Sequence, residues 1–363
     1  EIAPAGGRVV YIADQDTNDV EELYRAPLAS PGPVAKLNGM LAVGADIWEY
    51  EITADSEYVL YLADQTRSDR NDLYRVRLDG GDDPLRLSQG LPGDYNAYNL
   101  DITSDGAWAL FTVQVSGEPD ALYSVPVDNS SPPMALNSTA ISNARLHYFR
   151  LSPDSRYAVY RAEEDTSGVW EIYSAKVDGS GAQTKLNGAL APGGVVESFS
   201  ISPSGTRVVY TADQDTDDVV EIYSVPIGGG APTKLNGPLV ADGDVNDNNF
   251  SISPDGQWVA YLADGHTDEV NELYLAPIDG SAPPVKLNKP LVTDGDVQWF
   301  QFSPAGDHLT YYADQDVDEQ YELYGVALPG PGTPHKLNGP LVPDGDIYNF
   351  RYTPDGVYLV YMA

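Results

Sequence analysis

A stretch of about fifty residues returns along the whole chain, and this constrains the fold more than any other feature. Residues 201–239 read ISPSGTRVVYTADQDTDDVVEIYSVPIGGGAPTKLNGPL. Ile252, Phe302 and Tyr352 fall under Ile201, as do Leu151, Ile102, Ile52 and Ile2, at spacings of 49 to 51 residues. Seven copies fit (near 2–51, 52–101, 102–150, 151–200, 201–251, 252–301 and 302–351), and an eighth begins at 352–363. A period of this length marks a propeller or another repeat array. The 363 residues would otherwise suggest two or three domains, but one period running end to end predicts a single domain, 1–363.

Each copy divides into four short apolar runs. In the sixth they are 248–253, 258–263, 272–278 and 285–288, separated by Ser253-Pro254-Asp255-Gly256, an acidic loop and Asp279-Gly280. Pro and Gly supply the dihedrals that tight turns need, so the copy reads as a four-stranded antiparallel unit. The second run (Val208-Val209-Tyr210, Trp258-Val259-Ala260-Tyr261) is apolar without alternation, so both of its faces must be covered. Blades packed face to face around an axis do this, whereas a parallel β-helix has shorter coils and lacks these hairpins. Pro27, Pro126, Pro226 and Pro277 lie in the third run and place it toward the outer part of a blade. The expected fold is all-β: a seven-bladed β-propeller of four-stranded antiparallel blades. The run at 346–353 supplies the first strand that the opening copy lacks, so strands from both ends are expected to close the ring. Residues 357–363 remain as an extra strand competing with 8–13 for one place: it frays, or forms half of an eighth blade that needs strands from elsewhere, or belongs to one segment of a longer array, and as an unpaired template it invites assembly with another copy.

The stretch SPDGQWVAYLADGHTDEVNELYLAPIDG at 253–280 resembles the TolB-like propeller repeat, also found in tricorn-type proteases and in the propeller of prolyl oligopeptidase relatives. The resemblance covers nearly the whole chain, with a longer acidic loop after the second strand and an inserted NGPLVxDGD. It implies a noncatalytic propeller of a secreted bacterial kind, extracellular or periplasmic, serving as a structural or protein-interaction module. It leaves two alternatives: a carbohydrate- or basic-peptide-binding module, or the gating propeller of a separate serine peptidase domain.

Charge narrows the partners. Lys+Arg of 20 against Asp+Glu of 55 gives −35, which repels nucleic acid and anionic lipid. Cysteine is absent, so disulfides and thiolate metal sites are excluded. No apolar run reaches the length of a membrane span and no apolar leader precedes the repeats, as in a secreted chain whose signal has been removed. Gly-x-Ser-x-Gly and His-Glu-x-x-His are also missing, so no catalytic residue is assigned.

The loops from strand two to three and from strand four to the next copy should open on one face, and both are acidic. Candidate calcium ligands are Asp14, Asp16, Asp213, Asp215, Asp217, Glu221, Asp264, Asp268, Asp314, Asp316 and Asp318. Asp46, Asp94, Asp242-Gly243-Asp244, Asp294-Gly295-Asp296 and Asp344-Gly345-Asp346 come from the second set. Hard oxygen donors at alternate positions suit Ca²⁺, while the competing reading is turn chemistry, with each carboxylate accepting backbone N–H bonds. Candidate ligand-binding residues at the channel mouth are Trp48, Tyr98, His147, Tyr148, Trp299 and Tyr348; packing between blades is the alternative role for such rings. The tyrosines of the third strands (Tyr24, Tyr74, Tyr123, Tyr173, Tyr223, Tyr274, Tyr324) are expected in the core. The repeat breaks down in copies two and three, at Arg67, Arg70, Val113-Gln114-Val115-Ser116-Gly117 and Asn143-Ala144-Arg145, so a directional binding surface is expected there. Asn129-Ser130-Ser131 and Asn137-Ser138-Thr139 match the glycosylation acceptor pattern.

Overall fold

The computed structural model describes all residues except 30, 31, 92, 116, 139, 140, 142, 143, 329, 331, 343 and 344. Ser116, Thr139, Asn143 and Asp344, singled out above, therefore lie outside the described residues. Among the described residues there is no helix, and strands form eight antiparallel sheets: six of four strands, one of three and one of two. The chain separates into two compact units, residues 1–168 with 173–184, and residues 169–172 with 185–363.

Within the first unit the second copy shows how a blade is built. Ile47–Ile52, Tyr58–Ala63, Asp72–Arg77 and Leu85–Arg86 pair in that order. Thr53 begins the first hairpin turn: its hydroxyl donates to Asp55 (2.6 Å) and accepts from the Tyr58 N–H (3.0 Å). The turn closes through a left-handed residue, Ser56 at φ 59°, where other copies carry glycine such as Gly256 at 70°. The fully apolar second strand is buried because successive blades stack: Leu60, Leu62 and Leu73 pack with Ala109, Phe111 and Val125 of the next copy. In the second unit Leu262, Leu273 and Leu275 meet Phe300, Leu309 and Tyr311 in the same way. The aromatic of the second strand stacks on the tyrosine of the third in copy after copy, as in Tyr61 on Tyr74 (5.4 Å) and Tyr210 on Tyr223 (5.3 Å). The expected core tyrosines are thus in the core, with Tyr123 and Tyr274 partly exposed.

Strand limits differ in instructive ways. The sixth copy's first strand starts earlier than the apolar run, Val245–Ile252, because a bulge between Val245 and Phe250 lets polar residues continue the ladder. The fourth strand is only Val285–Lys286. Pro27, Pro126, Pro226 and Pro277 do not interrupt the third strands but end them, beyond the reach of the short fourth strand, so no ladder bond needs their missing N–H.

Each end pairs within its own unit. Asn349–Tyr352 pairs with Leu359–Met362 in a sheet of its own, while Arg8–Ala13 lies in the three-stranded sheet and gains only the isolated Ile2–Val9 bridge. The local hairpin forms because Thr353 and Asp355 cap its turn as the equivalent pairs do in the second, third, fourth and sixth copies. Leu359–Met362 copies a second strand, yet Tyr361 is 42% exposed where its equivalents Tyr61, Tyr210 and Tyr261 are at most 1%.

Candidate functional site

The two acidic loop sets do meet at one end of the blades within each unit. In the first unit the Asp46 N–H donates to Asp64 (2.6 Å), Asp46 accepts from the Glu21 N–H (2.8 Å), and the Gly39 N–H donates to Gln65 (3.2 Å). In the second unit the Val195 N–H donates to Asp213 (2.5 Å), the Asp296 N–H to Asp314 (2.5 Å), and the Gly188 N–H to Gln214 (2.7 Å). Apart from the Glu21–Asp46 bond, which lies within the first copy, each bond joins the loop that leaves one copy to the loop inside the next, so these carboxylates and amides act as latches between blades. Glycine permits the close approach: a Cβ on Gly295 would stand 2.7 Å from the Asp314 carbonyl. Burial raises the pKa of Asp64, Asp244, Asp264 and Asp296, and neighbouring aspartates add to the shift.

Of the candidate calcium ligands, Asp16, Asp215 and Asp316 instead face ammonium groups: Lys36 at 2.8 Å, Lys234 at 2.6 Å and Lys336 at 3.1 Å. Glu221 is buried and holds Lys234 (2.6 Å), the Tyr223 hydroxyl (2.8 Å) and the Asn236 amide (3.4 Å). Asp264 and Asp314 accept the N–H groups of Glu269 and Glu319 (3.2 Å each). Asp14, Asp217, Asp268 and Asp318 are exposed or nearly so. Among the described residues no group of three or more carboxylates or imidazoles is spaced to hold a metal ion. Negative charge is also not confined to this end. Asp55, Asp105 and Asp255 sit in the first hairpin turns and Asp79, Asp178 and Asp279 in the third-to-fourth turns, at the opposite end; hydroxyl and backbone N–H donors lower the pKa of Asp55, Asp105, Asp178 and Asp279, and the Arg77 guanidinium, then the Gly81 N–H, lowers that of Asp79.

The sector where the repeat breaks down carries a cavity of about 630 Å³, lined by Arg67, Asp94, Tyr95, Gln114, Asp120 and Arg145 among others. A cavity of about 360 Å³ shares Gln114 and Asp120 with it, and one of about 370 Å³ shares Asn99 with the second. Together they form a polar groove running from the acidic loops onto the first strands. At the outer end the cations are already paired: Arg67 with Asp69 (2.6 Å) and Asp94 (2.9 Å), and Arg145 with Glu163 (2.6 Å). At the inner end Glu49, Glu51 and Asp101 face one guanidinium, Arg150, which stacks 5.3 Å from the Tyr148 ring. Glu49 accepts the Leu100 N–H (3.0 Å) and Asp101 the Ile102 N–H (2.8 Å). Burial, then repulsion from Glu1, Asp101 and Glu49, pushes Glu51 up to about 7.

The expected ligand-binding residues divide by location. His147 and Tyr148 line the inner cavity, Tyr98 the middle one, and Trp299 and Tyr348 a separate cavity in the second unit. His147 lies 3.1 Å from Arg161, and burial with that guanidinium lowers its pKa. Trp48 lines none of these cavities and is 63% exposed, so for Trp48, and for Tyr348 at 62%, the packing role is overturned. The bulge after Ile47 turns Trp48 outward. The sequence reading missed Glu49, Glu51 and Asp101. For Glu51 and Asp101 a signal was available: at their place the copies carry Glu, Asp, Arg, Ser, Ser, Gln and Arg, while the preceding position is aromatic in all but the copy with Leu100. Of the glycosylation candidates, Asn129 is exposed, while the Asn137 amide is spent on Leu122 and Asp120.

No protein-family model and no curated protein sequence matches the chain. Among solved structures, the dipeptidyl peptidase 4 of Porphyromonas gingivalis aligns with a TM-score of 0.61 at 11% identity, over 99% of this chain and 55% of that one. The chain has a β-propeller fold. It spans about half the length of that peptidase. A prolyl endopeptidase (14% identity, 97% and 52% coverage, TM-score 0.47) and a TolB protein from Agrobacterium tumefaciens (19%, 77% and 94%, 0.37) are more distant in shape. Among the described residues no helix is long and apolar enough to cross a membrane.

Proposed function

We propose that this propeller is a noncatalytic interaction module, acting outside the cytoplasm, that binds a basic peptide segment of a protein partner in the groove of the first unit. One observation carries the reading: Glu49, Glu51 and Asp101 share a cavity of about 370 Å³ with a single counter-charge, Arg150. A lysine or arginine side chain entering there would offset the burial, and the repulsion added by Glu1, Asp101 and Glu49, that raise the Glu51 pKa to about 7. The tyrosine and amide groups along the groove offer hydrogen bonds to peptide backbone. The test is calorimetric titration with acetylated tetralysine and tetraglutamate at physiological salt. Tetralysine should bind, and Glu51→Gln with Asp101→Asn should weaken it about tenfold or more. Because a charge of −35 attracts any polycation, a distant pair of equal charge, Asp255→Asn with Asp355→Asn, serves as control. Equal loss in both pairs would refute a site.

Two further readings have observations of their own. The similarity over half of a peptidase chain favours a propeller that accompanies a hydrolase domain, in which case the native product would run well above the mass of 363 residues. The exposed edge of Leu359–Met362 favours assembly by strand addition, which concentration-dependent light scattering tests directly. In all three readings the acidic loops serve as blade latches rather than as calcium ligands.

A further inference from the structure

The second unit holds a cavity of different chemistry. It measures about 500 Å³, lies beside Val297–Phe302 and Asn349–Tyr352, and is lined by Trp299, Gln301, Tyr312, Tyr348, Asn349 and Arg351. No acidic residue lines it, in a chain with 55 of them. Of the seven Lys and Arg residues of this unit, Lys185, Lys234, Lys286 and Lys336 are paired with carboxylates, Arg207 bonds Ser224, and Lys289 lies outside this cavity's lining. Arg351 has no such partner among the described residues and stands at the cavity.

The aromatic wall is held in place from behind. Phe350 is 1% exposed; the Trp299 ring lies 4.8 Å from it at 55°, and Tyr312 meets it edge-on at 6.4 Å. Tyr348 stands beside them, 62% exposed. Gln301 lines the same cavity, and its Oε1 is buried with no hydrogen-bond partner. A buried acceptor without a donor is costly and is satisfied when a ligand or water brings an O–H or N–H to it. The site thus offers rigid aromatic surface, one orphaned acceptor, an amide at Asn349 and the five-donor fork of a guanidinium.

We propose that this cavity binds a pyranose residue of a glycan. The apolar C–H face of the ring lies on Trp299 and Tyr348, one hydroxyl donates to Gln301 Oε1, and Asn349 and Arg351 hydrogen-bond the remaining oxygens. Flat apolar faces edged with hydroxyls match aromatic rings edged with planar amides and a guanidinium. Arg351 serves equally for a vicinal pair of hydroxyls or for the carboxylate of an acidic sugar, and the experiment separates these.

The intact chain is titrated with maltotetraose, cellotetraose and tetramannuronate, read by tryptophan fluorescence and by calorimetry. At least one tetramer should bind with a dissociation constant below about 1 mM. Tyr348→Ala and Gln301→Leu should weaken it about tenfold or more, with Tyr348→Ala leaving the fold intact because its side chain is largely exposed. Preference for tetramannuronate, lost in Arg351→Ala, would assign the guanidinium to a carboxylate; neutral binding that falls in Arg351→Ala would assign it to hydroxyls. Absence of binding by all three up to about 10 mM, or binding unchanged in both Tyr348→Ala and Gln301→Leu, overturns the proposal.

Discussion

Removing Glu221 tests whether its carboxylate is a structural hub. It is 9% exposed, holds the Lys234 ammonium at 2.6 Å, accepts the Tyr223 hydroxyl at 2.8 Å and touches the Asn236 amide at 3.4 Å. Glu221→Ala orphans the Tyr223 hydroxyl and breaks a charge-assisted bond, while Lys234 keeps Asp215 at 2.6 Å. Hydrogen bonds to charged groups contribute about 1.5–3 kcal/mol, and the lysine is about a third exposed, so solvent screening keeps the expected loss at about 2–3 kcal/mol. The third copy provides the comparison: Ala121 and Ala135 stand where the fifth has Glu221 and Lys234, and that blade still forms. The double variant Glu221→Ala/Lys234→Ala should therefore cost no more than Glu221→Ala alone, a coupling of about 1–2 kcal/mol in a double-mutant cycle followed by urea unfolding. Strict additivity, or a Glu221→Ala cost below about 0.5 kcal/mol, would refute the account. Were calcium the true partner, the same substitution would abolish a calcium-dependent rise in melting temperature.

Other expectations concern pH, metal and backbone. Glu51, raised to about 7, binds its proton more tightly folded than unfolded, as do Asp64, Asp244, Asp264 and Asp296. Stability should therefore rise as pH falls from about 7 toward the ordinary carboxylate range, and Glu51→Gln should flatten that slope in melting curves. Below that range the sign reverses, because Asp55, Asp105 and Asp279 have lowered pKa and their turn caps are lost on protonation. A chelator should leave the melting temperature unchanged, since the rim carboxylates already have backbone and lysine partners; a large drop would restore the calcium reading. Asp218 adopts φ 59° where the fourth copy has Gly168 at 83°, so Asp218→Gly should stabilise by up to about 1 kcal/mol in the same unfolding assay.

The repeat made the blade legible without coordinates. Turn residues such as Pro254 and Gly256 and the unbroken apolar run at Trp258–Ala263 encode hairpins and a strand buried on both faces, and both are short-range or compositional signals. The place of the groove was also legible, because a sequence that repeats itself shows where it stops doing so. What sequence alone left open were contacts reached across copies. Which backbone N–H an aspartate accepts depends on which loop the next blade brings within 3 Å, as the Asp64 and Asp314 bonds show. Whether Trp48 is packed or exposed depends on a one-residue bulge that reverses the direction of the side chains. The pairing of Asn349–Tyr352 with Leu359–Met362, rather than with the first copy, was likewise a contest between equivalent strands that only the folded arrangement decides. Local residues determined the hairpins; the tertiary structure decided which carboxylates, rings and guanidinium ended up sharing a cavity, because that depends on register and on neighbours fifty residues away.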